Sequence, residues 1–299
     1  MILNYEGVKN KPETLQAMTS LNQSEFEELC VVFDEVWKEQ TQQQKKDPTK
    51  GGRPPTLKNK EDRLFFILFY LKTYPLQEVL AHLFDMSQAL ANAEIYRLSQ
   101  VLRETLNKTG DLPARMPEDM LAKLAEEEPQ DLGIDGTERR VERPKDAEYQ
   151  RRYYSGKKKT HTMKNNVIGG LEDMQIKYLS GTHEGRKHDK KICDEDAITV
   201  PEGNDLYRDT AFQGHDLPGV NIHQPKKKPR GGELTPEDKM QNRLISRIRV
   251  KIEHVIAGIK RCRIVKDVFR NTKQFYDDQV IELVCGLHNF RSNHRLNYY

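Results

Sequence analysis

The sequence predicts an α/β fold in which helices flank a mixed sheet, preceded by an all-α unit. Helically spaced apolar residues dominate the N-terminal part, and short strand-like segments begin only after residue 130. The 299 residues are enough for two ordinary domains. We therefore expect a helical domain at residues 1–110, an acidic linker at 111–130 and the α/β domain at 131–299.

The composition argues against several classes of protein. Hydrophobic residues make up 36% of the chain, enough for a core, so a wholly disordered protein is not expected. The longest apolar stretch, Leu64–Leu71, is far shorter than the ~20 residues of a membrane-spanning helix, and the N-terminus lacks a signal-peptide pattern. The four cysteines form no C-x-x-C pair, which argues against a disulfide framework and a zinc site. We expect a soluble, unexported protein that does not contact a membrane.

A first amphipathic helix is predicted at Leu21–Gln40, where apolar side chains recur every three or four residues. The following Thr41–Thr56 is rich in Gln, Lys, Gly and Pro, which indicates an exposed linker. Within it, Gly52-Arg53-Pro54 could lay Arg53 into a minor groove of DNA.

Three further helices follow in the order of a helix-turn-helix unit, at about 57–105. We predict an apolar helix at Leu57–Lys72, a short helix at Leu76–Phe84 and a third helix from Ser87 to Leu102. The third would be the recognition helix, and its candidate major-groove contacts are Gln88, Asn92 and Arg97. Its first turn is short of Arg and Lys, so a plain three-helix bundle used for dimerisation fits this segment equally well.

Strand-like segments predict a mixed sheet in the C-terminal part. They are Leu132–Thr137, Asn165–Gly170, Gln175–Ser180, Asp205–Asp209 and Val220–His223. A helix is predicted to begin at His188-Asp189, after the first three strands. Strands that then alternate with helices indicate a mixed sheet with helices packed on it.

The longest helix is predicted from Thr235, as N-cap, to about Lys260, with Pro236 in the first helical position. Its buried stripe should be Ile245, Ile248, Ile252, Val255 and Ile259, and its other side Asn242, Ser246, Arg249, Glu253 and Lys260. Glu253 is the only acidic residue between Asp238 and Asp267, which suggests that it has a specific role.

The formal net charge of +3 conceals a segregation of charge along the chain. Residues 111–135 carry −6, whereas residues 137–164 carry +6 and residues 223–273 carry +10. Two basic segments are typical of a polyanion-binding face, although charge runs are usually solvated surface. The candidate phosphate contacts are Lys157, Lys158, Lys159, Lys226 and Lys227. The first three could be a solvated loop, and Lys226–Arg230 also resembles a nuclear import signal.

Three carboxylates stand among these bases: Asp135 in a strand, Asp209 at the end of a later strand, and Glu253 on the long helix. If the two strand ends meet and the helix crosses beside them, the carboxylates converge on a site suited to Mg²⁺. Two metal ions would then serve an in-line phosphoryl transfer. The alternatives are an Asp-Gly turn for Asp135 and an intrahelical pair with Arg249 for Glu253.

On these residues, the chain resembles the DDE transposases of bacterial insertion sequences, in the branch related to Harbinger elements. The matching segments are Ile134–Glu138, Tyr154–Thr162, His188-Asp189, Asp209–Gly214, Pro225–Lys227 and Arg249–Lys260, with Gly52–Pro54 before the helix-turn-helix. The resemblance spans about Ser20 to Arg295. Two departures stand out: Ser246 replaces the family's Tyr on the catalytic helix, and Thr210–Phe212 replaces a Gly-Tyr after the second Asp.

The resemblance implies a ribonuclease-H-like fold in which Asp135 bridges two Mg²⁺ ions and Asp209 and Glu253 each complete one metal site, with Mn²⁺ as a substitute. It also implies that Arg249 and Lys260 engage DNA. The expected function is a transposase that binds terminal inverted repeats, cleaves DNA and joins the 3′-hydroxyl to target DNA, as a homodimer in the cytoplasm at the nucleoid. The alternatives are a catalytically retired, DNA-binding descendant and a metal-dependent nuclease without strand transfer.

Overall fold

The computed structural model describes residues 2–44 and 55–296. The chain divides into two compact units. The first is Met1–Leu112 together with Arg261–Asp267, and the second is Pro113–Lys260 together with Val268–Tyr299. Gly52-Arg53-Pro54, and with it the predicted minor-groove contact of Arg53, lies outside the described residues.

The first unit is helical. Its helices are α1 (Pro12–Thr19), α2 (Gln23–Gln44), α3 (Lys60–Thr73), α4 (Gln77–Leu83), α5 (Gln88–Lys108) and α10 (Arg263–Lys266). Every residue of α3 from Leu64 to Leu71 is buried, so the most apolar helix lies at the centre of this unit. The predicted helix ending at Gln40 continues as α2 into the segment that was expected to be a linker.

The three helices predicted from Leu57 onward are present as α3, α4 and α5. The turn between α4 and α5 contains Asp85 in the left-handed region, with φ of 55°. Ser87 caps α5 as predicted, because its hydroxyl accepts a hydrogen bond from the Leu90 N–H. The third helix is longer than predicted and continues to Lys108.

The second unit contains a seven-stranded mixed sheet. Its strands are β1 (Asp131–Arg140), β2 (Tyr154–Ser155), β3 (Thr160–Gly170), β4 (Ile176–Leu179), β5 (His183–Glu184), β6 (Asp205–Arg208) and β7 (Asn221–His223). The order is β2-β3-β1-β6-β7, with β4 and β5 also paired to β3. Strand β1 is antiparallel to β3 and parallel to β6, and β6 is parallel to β7.

Helices flank this sheet. They are α6 (Pro117–Ala125), α7 (Ala147–Tyr153), α8 (Asp189–Glu195), α9 (Pro236–Ile259) and α11 (Tyr276–Leu296), with a 3-10 helix at Thr210–Phe212. The acidic stretch at 111–130, expected to be a linker, contains α6, whose Met120 and Leu124 join the core beside Leu132 and Ile134. The fold is therefore the ribonuclease-H-like mixed sheet with flanking helices that the resemblance implies.

Helix α9 packs closely on one face of the sheet. A Cβ atom on Gly133 would lie 2.8 Å from the Ile252 Cβ, so this position in β1 needs glycine. The predicted N-cap is present, because the Thr235 hydroxyl accepts from the Asp238 N–H. Of the predicted stripe, only Ile248 is not fully buried. No helix in the described ranges is long and apolar enough to cross a membrane.

Candidate active site

Asp135 and Asp209 lie side by side on neighbouring strands. The parallel register of β1 and β6 pairs Ile134 with Arg208, so the next residues on the two strands are Asp135 and Asp209. Neighbouring strands are ~4.8 Å apart, and residues in register point to the same face of a parallel sheet. The two carboxylates that the sequence analysis singled out are thus adjacent at the end of β6.

The pKa of Asp135 is raised, first by burial. Two influences oppose the rise: the Gly136 N–H donates to Asp135 Oδ1 at 2.7 Å, and the positive charge of Arg249 favours the carboxylate. The negative charges of Asp209 and Asp189 raise the pKa further. A half-buried carboxylate with two acidic neighbours is a place where an added cation would be stabilised.

Asp209 is distinguished by its position from Asp205 and Asp216, which lie close to it in the sequence. Its carboxylate caps the 3-10 helix by accepting the Ala211 N–H, which fixes it at the strand end. Asp205 pairs in register with Asp131 at the opposite end of β6, and its Oδ1 lies 2.5 Å from His223 Nε2. Asp216 acts electrostatically on Arg208.

Helix α9 brings Arg249 to the same face as Asp135. Ile252 packs against Gly133, and Asp135 follows two residues later in β1, on the same side of the strand. The Arg249 Nε is buried and has no hydrogen-bond partner among the described residues. A buried donor without a partner is rare, and this N–H group is suited to donate to an anion.

Glu253 is not brought into this cluster. Its side chain is exposed, and within residues 2–44 and 55–296 it forms no ion pair with Arg249. In the same ranges, no group of three or more His, Cys, Asp or Glu side chains is close enough to hold a metal ion. The structure therefore joins Asp135, Asp209 and Arg249, and leaves Glu253 apart.

Lys260 lies near Asp135, and Lys158 lies near Lys260. The pKa of Lys260 is lowered by burial and by the positive charge of Lys158, while the negative charges of Asp135 and Glu138 raise it. Lys158 belongs to an exposed turn between β2 and β3, in which the Ser155 carbonyl accepts the Lys159 N–H at 2.8 Å. The triple-lysine segment is thus a hydrogen-bonded turn, and its Lys158 is close enough to Lys260 to act on it electrostatically.

The sequence analysis missed a buried ionic cluster beside the site. The Lys164 Nζ lies 3.0 Å from Asp189 Oδ1 and 3.6 Å from Glu138 Oε1, and donates to the Lys187 carbonyl. Asp189 Oδ1 lies against Gly136, where a Cβ atom would be only 2.7 Å from it. The sequence contains only a partial signal, because Lys164 directly precedes the predicted strand Asn165–Gly170, whereas in the structure β3 begins at Thr160 and buries this lysine.

The Pro225–Lys227 segment is held on α9. Lys226 and Asn242 exchange two hydrogen bonds between backbone and side chain, at 2.8 and 3.0 Å, and Lys226 Nζ lies 3.0 Å from Asp238. Lys227 is exposed. The segment is therefore positioned by α9, and its second lysine is available to a phosphate.

The candidate base contacts on α5 differ in their surroundings. Gln88 and Asn92 both donate to Gln77 Oε1, at 2.6 and 3.1 Å, and Gln88 is exposed. Arg97 instead stacks on Trp37, with its guanidinium carbon 3.8 Å from the ring centroid, and lies 3.6 Å from Glu94. Its charge is engaged within the first unit.

Comparisons with known proteins match both parts of the chain. The family described as DDE superfamily endonuclease matches residues 134–289. The helix-turn-helix of DDE superfamily endonuclease matches residues 55–108. A similar protein, the probable transposase for insertion sequence element IS702 of Microchaete diplosiphon, is 27% identical over 245 residues, which cover 82% of this chain and 85% of the relative. No solved structure matches the chain.

Proposed function

Because the chain belongs to the DDE superfamily of endonucleases, we propose that it is a transposase that uses Asp135, Asp209 and Glu253 for metal-dependent DNA cleavage and strand transfer. The observation that carries this proposal is the register that sets Asp135 beside Asp209 at the end of β6. The branch related to Harbinger elements stays a prediction.

The paired carboxylates fit a divalent cation. Carboxylate oxygens are the ligands that Mg²⁺ and Mn²⁺ prefer, and a cation would relieve the repulsion that helps to raise the pKa of Asp135. Asp135 and Asp209 would hold it, and Glu253 on α9 would complete a second site. When bound, such ions supply activation of the attacking oxygen and stabilisation of the leaving oxygen.

The basic residues around this pair would hold the scissile phosphodiester. The unpartnered Nε–H of Arg249 would donate to a non-bridging phosphate oxygen, and Lys260 would offset the phosphate charge. In cleavage, a water oxygen attacks phosphorus and the bond to the 3′-oxygen breaks. In joining, the freed 3′-hydroxyl attacks the phosphorus of a target phosphodiester, the bond to the target's 3′-oxygen breaks, and that oxygen leaves and takes up a proton. Both steps are in-line phosphoryl transfers.

Recognition of the terminal inverted repeats is assigned to the helical domain at 1–110. Gln88 and Asn92 at the start of α5 would contact base edges, as in other helix-turn-helix proteins. Lys157, Lys158, Lys159, Lys226 and Lys227 would contact the DNA backbone near the reaction site. Synapsis of two element ends implies a homodimer, acting at the nucleoid.

One assay tests the proposal. The full chain is incubated with Mg²⁺, a labelled end-repeat duplex and a target plasmid, and joined product is expected. Asp135→Asn, Asp209→Asn and Glu253→Gln should each lower cutting and joining by at least about 10²-fold while the duplex is still retained. Cutting without joining would instead identify a nuclease, and retention without cutting a retired DNA-binding protein.

Matched controls separate the site from general damage. Asp205→Asn changes the carboxylate at the opposite end of β6, and Glu237→Gln changes an exposed glutamate in the first turn of α9. Both should cut and join at the rate of the unchanged chain. Full activity of Glu253→Gln would remove Glu253 from the proposed site and leave the Asp135–Asp209 pair.

A further inference from the structure

A cavity of about 810 Å³ opens on the second unit beside α7 and the turn between β2 and β3. This is within the size range of small-ligand sites. Its lining includes three arginines and two rings, with no carboxylate: Arg143, Arg151, Arg186, Tyr154 and His161. None of the residues assigned to the carboxylate site lines it.

The three arginines are free to bind an anion. Arg143 donates to Gln150 Oε1 through Nε at 3.1 Å and Nη2 at 2.8 Å, which orients its guanidinium without neutralising it. Within the described residues, no carboxylate pairs with Arg143, Arg151 or Arg186. Arg152, which does not line the cavity, is paired with Glu184 at 3.3 Å. Among the described residues, the three arginines that line the cavity thus have no carboxylate partner.

An exposed aromatic ring stands beside these charges. Tyr154 in β2 pairs in register with His161 in β3, and their rings meet edge to face with centroids 5.7 Å apart. Tyr154 nevertheless keeps 42% of its surface exposed. A fixed, accessible ring next to guanidinium groups is the arrangement that binds single-stranded nucleic acid, through stacking and phosphate contacts.

The cavity is connected to Asp135 by basic residues. Gly156 lines the cavity and begins the turn that carries Lys157, Lys158 and Lys159. Lys158 is close enough to Lys260 to act on it electrostatically, and Lys260 is likewise close to Asp135. Lys260 and the lysines of the turn therefore place positive charge between Asp135 and the cavity, where it would attract a DNA strand.

We infer that this cavity binds an unpaired nucleotide of the DNA strand that passes Asp135, with its base stacked on Tyr154 and its phosphates on Arg151 and Arg186. A base within a duplex has both faces stacked and cannot offer one to Tyr154, so the ligand is a nucleotide outside the duplex. The inference rests on the proposed function in taking DNA as the substrate.

Binding is tested with the full chain, without divalent cations, using a short single-stranded oligodeoxynucleotide that contains 2-aminopurine. Stacking on Tyr154 should quench its fluorescence. Tyr154→Ala should abolish the quenching and weaken binding about tenfold. Tyr154→Phe keeps the ring and should stay within about twofold. The logarithm of the binding constant falls linearly with the logarithm of the salt concentration. Arg186→Gln should make this negative slope shallower by about 0.7, and Arg186→Lys should leave it unchanged.

Tyr149→Ala is the matched control, since Tyr149 is an exposed tyrosine on α7 that does not line the cavity. Equal affinity and quenching in Tyr154→Ala and Tyr149→Ala would overturn the inference. The inference would also be overturned if free deoxynucleoside monophosphate competed as well as the single-stranded oligonucleotide, which would identify a free-nucleotide site. Equal competition by the matching duplex would overturn it too. The binding test contains no divalent cation, so it does not depend on whether the carboxylate variants lose cleavage. Failure of the nucleotide-binding inference can therefore be told apart from failure of the proposed function.

Discussion

Replacing Asp135 with Asn should stabilise the cation-free protein at neutral pH. The pKa of Asp135 is raised, first by burial and in part by the charge of Asp209, so folding disfavours its ionised form. Asn has nearly the same shape and can still accept the Gly136 N–H that Asp135 accepts at 2.7 Å. The variant therefore loses a costly charge without losing this hydrogen bond.

The repulsion between the two carboxylates can be sized from the strand geometry. Unit charges ~5 Å apart repel by about 3 kcal/mol at an effective dielectric constant of 20, and by about 1 kcal/mol in bulk water. Asp209 is only half-buried, so we expect about 1 to 2 kcal/mol. This corresponds to a difference in melting temperature of about 2–8 °C.

The sign of the pH dependence follows from the raised pKa. The protonated side chain of Asp135 contributes stability that is complete below the ordinary aspartate pKa of about 3.9 and is lost as the pH rises through the raised value. The advantage of Asn over Asp at this position should therefore vanish at low pH and reach its full size above the raised pKa.

Thermal unfolding of a double-mutant cycle isolates the pair. The stabilisation produced by Asp135→Asn in the natural background should shrink by about 1 to 2 kcal/mol in the Asp209→Asn background. Mg²⁺ at 100 times its dissociation constant should stabilise the unchanged chain by about 2.7 kcal/mol. It should not stabilise Asp135→Asn.

Two outcomes would refute this reasoning. Additive effects, within about 0.3 kcal/mol, would mean that the carboxylates do not interact and that the β1–β6 register does not bring them together. If Mg²⁺ stabilised Asp135→Asn as much as the unchanged chain, the cation would bind at a site that does not include Asp135. A less stable Asp135→Asn at neutral pH would contradict the direction of the pKa shift.

Two further predictions concern packing and recognition. Gly133→Ala should lower the free energy of unfolding by about 1–3 kcal/mol in urea, since its Cβ would press on Ile252, whereas Gly156→Ala, whose Cβ would meet open space, should leave it unchanged. Arg97→Ala removes the stacking of Arg97 on Trp37 and should lower the free energy of unfolding by about 0.5–2 kcal/mol. In competition gel shifts, this variant should still prefer the end repeat over an unrelated duplex. Gln88→Ala should lose that preference. If Arg97→Ala lost it and Gln88→Ala kept it, Arg97 would be the base contact.

Helices with one apolar face could be predicted from the sequence, because their apolar residues recur with helical spacing. Helices without such a face could not. The spacing of apolar residues and the caps located α5 and α9, because each helix has one buried side. Helix α11 was missed because its residues from Val280 to Phe290 are buried on all sides, which erases the periodicity. Helix α10 has four residues and packs in the first unit, a placement that no local pattern encodes.

The same division applies to the site. Asp135 lies within β1 and Asp209 directly follows β6, so the sequence could bring the two together only on the assumption that these strands are parallel neighbours in this register. The cluster of Lys164 with Glu138 and Asp189 joins two strands and a helix, and depends on side chains that meet only after folding. The sequence analysis named the segments that contain Glu138 and Asp189, whereas Lys164 lies just before the predicted strand Asn165–Gly170 and was not singled out.

Helical geometry bounds the position of Glu253. Arg249 and Glu253 are four residues apart and share one side of α9, separated by about one helical turn of 5.4 Å. Because the charge of Arg249 acts on Asp135, Glu253 lies on the side of α9 that carries Arg249, one helical turn further along the helix. The negative charges of Asp135 and Asp209 repel a third carboxylate, and a bound cation would turn this repulsion into attraction. A cation held by Asp135 and Asp209 would therefore reduce the repulsion that opposes the approach of Glu253.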